Sequence, residues 1–444
     1  MPQAPGKNVL LISLDDAVAY WHYRTVFGQE IQTPNLDRIC AQSTAFQSAY
    51  CQVPVCSPSR ASFMSGISPH HSGITGRDAR YLDRFGPENL WPHRLKSGGL
   101  YCSTGGKVVL GYRALPERIH RILYSDAPET YAIAPRRRRF KDRMLPGHVE
   151  FGGFRGGLAA DTEAAEQKLY CNTVADRAIA FLDNYDGAAP FYRGVGFQSP
   201  HGPWTTPRRF KEMYDPGAFR QPAAWAGGFT EPDAAGRISP ANFHNSSRWF
   251  WKQSLRNYMS SLSYADAQIG RVWDALKASR FADSTLVVIV SDHGLHLGER
   301  NRFSKGGLWE QVANVPLIIH DPATPEARVV TDPVGLIDIG NTVMDYLDLP
   351  AIPGSLGQSL MPQLSGTPAP DRAIPTVHGD NASIRKGRYR FTRYACGTTE
   401  MFDLSTDWWQ KTDLGPGHAA YGDMQQAHAA CCSAHGLPPA ASAA

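Results

Sequence analysis

The stretch NVLLISLDD, residues 8–16, joins a run of apolar residues to two adjacent carboxylates. An apolar run of this kind is typical of a strand buried on both faces of a parallel sheet. Asp15 and Asp16 end the run, and carboxylates beside a buried strand are costly unless a positive group meets them. Because ligand sites of open α/β sheets form at the carboxyl ends of the strands, a metal ion is the simplest partner. The alternative is a solvated turn.

A second stretch has the same character near residue 290. The apolar run TLVVIV, residues 285–290, is followed closely by Asp292 and His293. Because parallel strands bring their carboxyl ends to one edge of a sheet, we expect both residues to lie beside Asp15 and Asp16. Three carboxylates are hard oxygen ligands that suit Ca²⁺, Mg²⁺ or Mn²⁺, and clustering them without a cation would be unfavourable. The sequence therefore predicts one divalent cation at this edge.

Strands and helices alternate along most of the chain. Helical segments with one apolar face are predicted at 173–185, 263–279 and 336–347, between strand-like runs. This alternation continues to about residue 350 and favours an α/β fold with a large, mainly parallel central sheet flanked by helices. We assign residues 1–364 to this domain.

The pattern changes from residue 365. Polar and aromatic residues alternate at 388–394, as in a half-buried antiparallel strand, and 400–404 is a plausible partner strand. We therefore expect residues 365–444 to form a smaller C-terminal α+β domain with a short antiparallel sheet. Its last part is rich in Ala, Pro and Ser, and we expect that tail, including Cys431 and Cys432, to be disordered.

Composition excludes several classes of protein. The 444 residues carry a formal net charge of +4, which is too small to imply nucleic acid. No apolar stretch approaches the ~20 residues of a membrane span, and the first residues do not resemble a signal peptide, so we expect a cytoplasmic protein without a membrane partner.

The eight cysteines show neither metal-ligand spacing nor a disulfide framework. Four arginines at 136–139 form either a solvated patch or a site for a polyanion.

The stretch CSPSRASFMSG, residues 56–66, predicts a short helix with a reactive group at its start. Pro58 lacks an N–H and has a fixed φ, which suits the first turn of a helix. Cys56 would lie just ahead of the helix N-terminus, where free N–H groups and the helix dipole favour negative charge. Arg60 follows about one turn later and could stabilise the same charge. The alternative is a structural cysteine, because free cysteine is among the most buried residue types.

The string Cys-x-Pro-Ser-Arg, followed by Met-Ser-Gly, resembles the signature of the sulfatase family in the alkaline phosphatase superfamily. Segments 8–16, 33–38, 196–203 and 291–316 resemble further blocks of that family. The resemblance implies a sulfuric ester hydrolase in which a formylglycine-generating enzyme oxidises Cys56 to formylglycine, whose hydrate is the nucleophile. The expected substrate is a sulfated small molecule or saccharide.

The resemblance also implies a ligand set for the cation. The positions that match the family's metal ligands are Asp15, Asp16, Asp292 and His293, together with the formylglycine at Cys56. Calcium is the expected ion, and the histidine at this position leaves Mg²⁺ or Mn²⁺ open.

Four residues match the family's other catalytic positions. Arg60 corresponds to the arginine that steadies the formylglycine hydroxyl. Lys107 and Lys305 correspond to the two lysines that hold the sulfate, although single lysines are more often surface residues. His201 corresponds to the histidine that protonates the leaving oxygen, a task that imidazole suits near neutral pH. A structural histidine is the alternative, since the chain has 15.

One position departs from the family pattern. Many members have Lys-x-His after the glycines, whereas Val109 stands where the histidine would be. That histidine normally hydrogen-bonds the formylglycine hydroxyl, which valine cannot do, and His120, His70 and His71 are candidate substitutes. Two alternative functions therefore stay open. One is a phosphonate monoester or phosphodiester hydrolase of the same superfamily, and the other is a non-catalytic anion-binding protein.

Overall fold

The computed structural model of the protein describes residues 6–131, 147–154, 157–243, 247–368 and 371–438. The arginines at 136–139 lie outside these residues. The strands of the described residues are, in chain order, β1 (Asn8–Asp15), β2 (Thr44–Tyr50), β3 (Tyr101–Gly106), β4 (His148–Glu150), β5 (Leu158–Ala160), β6 (Phe191–Pro200), β7 (Thr206–Pro207), β8 (Thr285–Ser291), β9 (Asn314–His320), β10 (Arg328–Val330), β11 (Val334–Gly335), β12 (Ile374–His378), β13 (Asn381–Lys386), β14 (Tyr389–Arg393) and β15 (Thr399–Asp403).

The α-helices of the described residues vary from one turn to more than eight turns. They are, in chain order, α1 (Pro34–Cys40), α2 (Cys56–Ser65), α3 (Pro69–Ser72), α4 (Tyr81–Phe85), α5 (Trp91–Ser97), α6 (Glu117–Leu123), α7 (Glu163–Glu166), α8 (Tyr170–Asn184), α9 (Arg208–Glu212), α10 (Asp233–Ile238), α11 (Arg248–Ala278), α12 (Glu310–Ala313), α13 (Asp338–Tyr346), α14 (Met361–Leu364) and α15 (Tyr421–Ala434). Within the described part of the chain, no helix is both long and apolar enough to cross a membrane.

The central sheet has the strand order β10-β2-β9-β8-β1-β6-β3, and β11 pairs with the far end of β2. Strands β8, β1, β6 and β3 are parallel neighbours. Strand β9 is antiparallel to both β8 and β2, so β2 runs in the same direction as β1. The sheet is mainly parallel, as the alternation of strands and helices predicts.

Alternate residues of β1 belong to two separate cores. Leu10, Ile12 and Leu14 pack on one face of the sheet with residues of α8 and α11, whereas Val9 and Leu11 pack on the other face with residues of α2, α5 and α13. Successive side chains of a strand point to opposite faces. The sheet is therefore the middle layer between two layers of helices, which confirms the predicted α/β fold.

Helix α11 is longer than the sequence pattern predicts. It begins at Arg248, fifteen residues before the predicted start at Ser263. Its first half buries polar residues such as Gln253, Ser254 and Asn257. These residues interrupt the apolar stripe that marks an amphipathic helix, which is why the pattern shows only the second half.

The C-terminal sheet has the antiparallel order β12-β13-β14-β15. The predicted partners at 388–394 and 400–404 are paired as β14 and β15, with Phe391 opposite Met401. The boundary between two domains near residue 365 stays a prediction.

The prediction that Cys431 and Cys432 are disordered is wrong. Both lie in α15, and Cys432 is buried. Met424, His428 and Cys432 are buried on this helix at intervals of four residues, which places them on one face. The ring of His428 also meets the Ala382 carbonyl of β13 at 3.1 Å. Helix α15 therefore packs on the C-terminal sheet.

Candidate active site

Most of the residues predicted for the site follow strand ends at one edge of the sheet. Strand β1 ends at Asp15, and the residues that follow β8, β6 and β3 are Asp292, His201 and Lys107. Parallel neighbouring strands bring these ends together. Strand β2 ends at the same edge and leads to α2, whose first residue is Cys56. The cysteine is thus the first helical residue, one position further into the helix than the sequence suggests.

Lys107 reaches this edge because the backbones of Gly106 and Gly196 pack closely together. Gly106 has φ of +74°, a value that L side chains rarely adopt. A Cβ on Gly106 would lie 2.1 Å from the carbonyl oxygen of Gly196, and the Lys107 N–H donates to that same carbonyl at 3.0 Å. The turn after β3 therefore depends on glycine at 106.

The thiol of Cys56 lies among charged groups. Its Sγ is 2.8 Å from Lys305 Nζ, 3.3 Å from His293 Nε2 and 3.5 Å from Asp15 Oδ1. The first turn of α2 adds free N–H groups and the positive end of the helix dipole. An anionic or polar nucleophile at this position would be stabilised from several sides.

Asp16 has a strained backbone and an incompletely paired carboxylate. Its φ is +67°, which is uncommon for a non-glycine residue and marks functional sites. Lys305 Nζ donates to its Oδ1 at 2.6 Å. Its buried Oδ2 has no hydrogen-bond partner among the described residues, and His201 Nε2 is 3.8 Å away.

The donor atoms of this edge fit a divalent cation. One atom each from Asp15, Cys56, Asp292 and His293 lie within 4.8 Å of one another, and Asp15 and Cys56 form a second such group with Asp16 and His201. His293 Nδ1 lies 3.0 Å from the Gly294 carbonyl oxygen. A carbonyl can only accept, so Nδ1 carries the proton and Nε2 keeps its lone pair for a ligand.

Positive neighbours keep the two carboxylates of β1 charged. Burial by itself would raise the pKa of Asp15, but Lys107, His201 and Lys305 hold it well below its ordinary value. Burial likewise opposes the charged form of Asp16, and His201 and Lys305 lower its pKa to about 2. Both groups are therefore available as anionic ligands at neutral pH.

Comparison with known proteins identifies the family. The Sulfatase family model matches residues 7–349. The chain belongs to the sulfatase family. A sulfatase from Formosa agariphila is 28% identical over 431 residues, which cover 90% of this chain and 81% of the relative. The protein is accordingly a sulfuric ester hydrolase of the alkaline phosphatase superfamily.

Two solved structures share the fold. One is a protein solved in complex with its substrate, D-glucosamine-2-N,6-O-disulfate, at a TM-score of 0.71 and 18% identity, covering 97% of this chain and 98% of that one. The other is the phosphonate monoester hydrolase of Agrobacterium radiobacter, at a TM-score of 0.73 and 20% identity, covering 96% and 95%. The fold is therefore common to sulfate and phosphonate ester hydrolases.

Arg60 holds the framework of this family member's site together. Its guanidinium is fully buried and donates to Asp292 Oδ2 at 2.9 Å and to Ser13 Oγ at 2.8 Å. It also donates to the carbonyls of Lys107, Val108 and Leu14. The hydrogen bonds of Arg60 thus join the ends of β1 and β8 to the loop after β3. The predicted contact with a formylglycine hydroxyl stays a prediction.

The contacts given for the candidate substitutes of the missing histidine lie away from Cys56. His120 Nε2 lies 3.3 Å from Asp126, and His70 Nε2 lies 3.9 Å from Asp380. The Ser68 hydroxyl accepts from the backbone N–H of His71, at the start of α3. The side chain of Val109 is packed in the core, 3% exposed.

Sequence reasoning missed Tyr112. Its hydroxyl donates to Asp15 Oδ2, which also accepts from Lys107 Nζ. Burial, followed by the negative charge of Asp15, raises the pKa of Tyr112 well above its ordinary value, so the phenol stays a donor. Tyr112 lies in an irregular loop, where no periodicity or motif could single it out.

Proposed function

We propose that the protein hydrolyses a sulfate monoester of a small alcohol or saccharide, with formylglycine at position 56 as the nucleophile. The observation that carries this proposal is the position of Cys56 Sγ, at the start of α2 and within 3.5 Å of Lys305, His293 and Asp15. A formylglycine-generating enzyme would form the aldehyde, whose hydrate supplies a hydroxyl that attacks sulfur and a second that expels sulfate. A cysteine thiolate has no such second hydroxyl, so after attack on sulfur it would remain as S-sulfated cysteine.

We infer that the ester would approach from the side of Lys305 and His201, since both are partly exposed. The side chains of Lys305 and His201 are 21% and 22% exposed, whereas that of Asp15 is fully buried. The ammonium groups of Lys305 and Lys107 would hold the anionic sulfate oxygens, whose charge they oppose. His201 would donate a proton to the departing alcohol.

We expect a divalent cation to be held by Asp15, Asp16, Asp292 and His293, and Ca²⁺ is the expected ion. When bound it polarises the ester and offsets the charge of the carboxylates. Without it, Lys305 and Lys107 are the groups that pair with Asp16 and Asp15. With the carboxylates held as cation ligands, Lys305 and Lys107 would be free to pair with the sulfate oxygens.

We expect Ca²⁺ to stabilise the chelator-treated protein. At a free concentration one hundred times its Kd, the free energy of unfolding rises by about 2.7 kcal/mol, measured by denaturant unfolding. Asp16→Asn should weaken this rise, because the amide lacks the anionic ligand while asparagine tolerates a positive φ. Asp321→Asn is the matched control, since Asp321 follows β9 at the opposite edge of the sheet. Denaturant unfolding curves that are the same with and without Ca²⁺, Mg²⁺ or Mn²⁺ would contradict the proposed cation site.

Phosphonate monoester or phosphodiester hydrolysis is the second candidate, favoured by the shared fold of the Agrobacterium radiobacter enzyme. We expect kcat/KM for an aryl sulfate to exceed that for the matching aryl phosphonate by about tenfold or more, equivalent to about 1.4 kcal/mol of transition-state stabilisation. Both substrates release the same phenol, so one absorbance assay measures both rates. A much faster reaction of the phosphonate would contradict sulfate hydrolysis as the main function and would support the second candidate.

A further inference from the structure

The loop after β3 places residue 109 in the core and not at the site. The Val109 carbonyl accepts from the Tyr81 hydroxyl at 3.0 Å, and its side chain packs with apolar residues. The preceding carbonyls of Lys107 and Val108 accept from Arg60. These contacts fix the path of the loop. The loop comes back to the site at Tyr112, whose hydroxyl is the polar group that it contributes there.

The Tyr112 phenol is held beside the carboxylate of Asp15. Its ring packs edge-on against Tyr170 at 5.6 Å between centroids, and His201 lies 5.8 Å away. Lys107 Nζ is 4.6 Å from the ring centroid and 3.5 Å from the hydroxyl oxygen. The phenol therefore has a defined position from which its hydroxyl reaches Asp15.

The two oxygens of Asp15 have different neighbours. Oδ2 accepts from Lys107 and Tyr112, whereas Oδ1 is 3.5 Å from Cys56 Sγ. The torsion that orients a carboxylate is broad, so donors on Oδ2 decide where Oδ1 points. Lys107 would leave Oδ2 when it binds a sulfate oxygen, and Tyr112 would then be the remaining donor.

We propose that Tyr112 is a positioning residue that fixes the Asp15 carboxylate, so that Oδ1 faces the nucleophile and the cation. This inference rests on the proposed function, because the release of Lys107 to sulfate is part of that function. The hydroxyl of Tyr112 acts through Asp15 and needs no change in its own protonation. It supplies a polar contact near Lys107 that Val109 cannot supply.

The test compares Tyr112→Phe with Tyr170→Phe in the chelator-treated full chain. Both changes remove one hydroxyl from the same ring pair, but that of Tyr170 is buried without a hydrogen-bond partner among the described residues. Titration calorimetry gives the Kd of whichever of Ca²⁺, Mg²⁺ or Mn²⁺ binds the wild type most tightly. Loss of a hydrogen bond to a metal ligand typically weakens metal binding by about 10–100-fold. We expect that loss in Tyr112→Phe and a change of less than about twofold in Tyr170→Phe.

Denaturant unfolding without the cation separates positioning from folding. We expect both variants to unfold cooperatively, because both keep the packed ring, with a lower midpoint in Tyr112→Phe, which alone loses a hydrogen bond to a buried carboxylate. An unchanged Kd in Tyr112→Phe, an equal weakening in both variants, or no cation binding by the wild type would overturn the assignment. Turnover of an aryl sulfate is measured in parallel. A wild type that binds the cation but leaves the sulfate intact would contradict the proposed function, while the difference in Kd would still support the role of Tyr112.

Discussion

Replacing Cys56 by alanine should abolish the hydrolysis of an aryl sulfate, lowering kcat/KM by about four orders of magnitude or more. The lost Sγ is the atom around which Lys305, His293 and Asp15 converge. Alanine is the best helix former, and position 56 is the first residue of α2, so the protein should stay folded. Steady-state kinetics with matched circular dichroism spectra checks both parts of this expectation.

Cys51→Ala is the control for the Cys56 variant. Cys51 is fully buried, with Sγ 3.8 Å from the Val312 carbonyl, and its loss should cost about 1 kcal/mol of stability while turnover continues. Unchanged turnover in Cys56→Ala would remove Cys56 from the chemistry. Absent turnover in the wild type as well would favour a non-catalytic anion-binding protein. Peptide mass spectrometry across residue 56 adds a direct measurement, because an intact thiol in protein from its native host contradicts the formylglycine proposal.

The part of the site that lies on buried strands was predictable. An all-apolar run such as 285–290 has few alternatives to a central strand, and the residues after it must lie at the strand's carboxyl end. Asp15, Asp16, Asp292 and His293 follow from this rule without any knowledge of the rest of the fold. The structure brings donor atoms of these four residues into the two overlapping groups around Cys56.

Residues in irregular segments were not predictable in the same way. Tyr112 reaches Asp15 through a loop whose path depends on the burial of Val109 and on bonds to Arg60. Neither contact leaves a periodic signal in the sequence. Helix α15 was missed for a different reason, because an Ala-rich, weakly apolar tail acquires its buried face only by packing on β13 and β14.

The structure gives Arg60 a role that the motif alone does not predict. The motif Cys-x-Pro-Ser-Arg predicts a contact of Arg60 with the nucleophile, and that contact stays a prediction. The five hydrogen bonds of its guanidinium go to Asp292, Ser13 and three backbone carbonyls. Its charge lies close enough to Asp15 and Cys56 to affect them electrostatically. Arg60 thus combines a long-range charge effect with the structural task of fixing the carboxyl edge of the sheet.

Arg60→Ala should therefore destabilise the cation-free protein by about 3–5 kcal/mol, because Asp292 is left as a buried charge without its ionic partner. Denaturant unfolding measures the loss, and Arg60→Lys, which keeps the charge but not the fork of donors, should fall between the alanine variant and the wild type. Arg24→Ala is the control, since its ion pair with Asp37 is exposed and should contribute less than about 1 kcal/mol. Saturating Ca²⁺ should recover part of the loss in Arg60→Ala, because the cation would offset the charge of Asp292. A loss as small as that of Arg24→Ala would show that Arg60 is not a structural centre of the site.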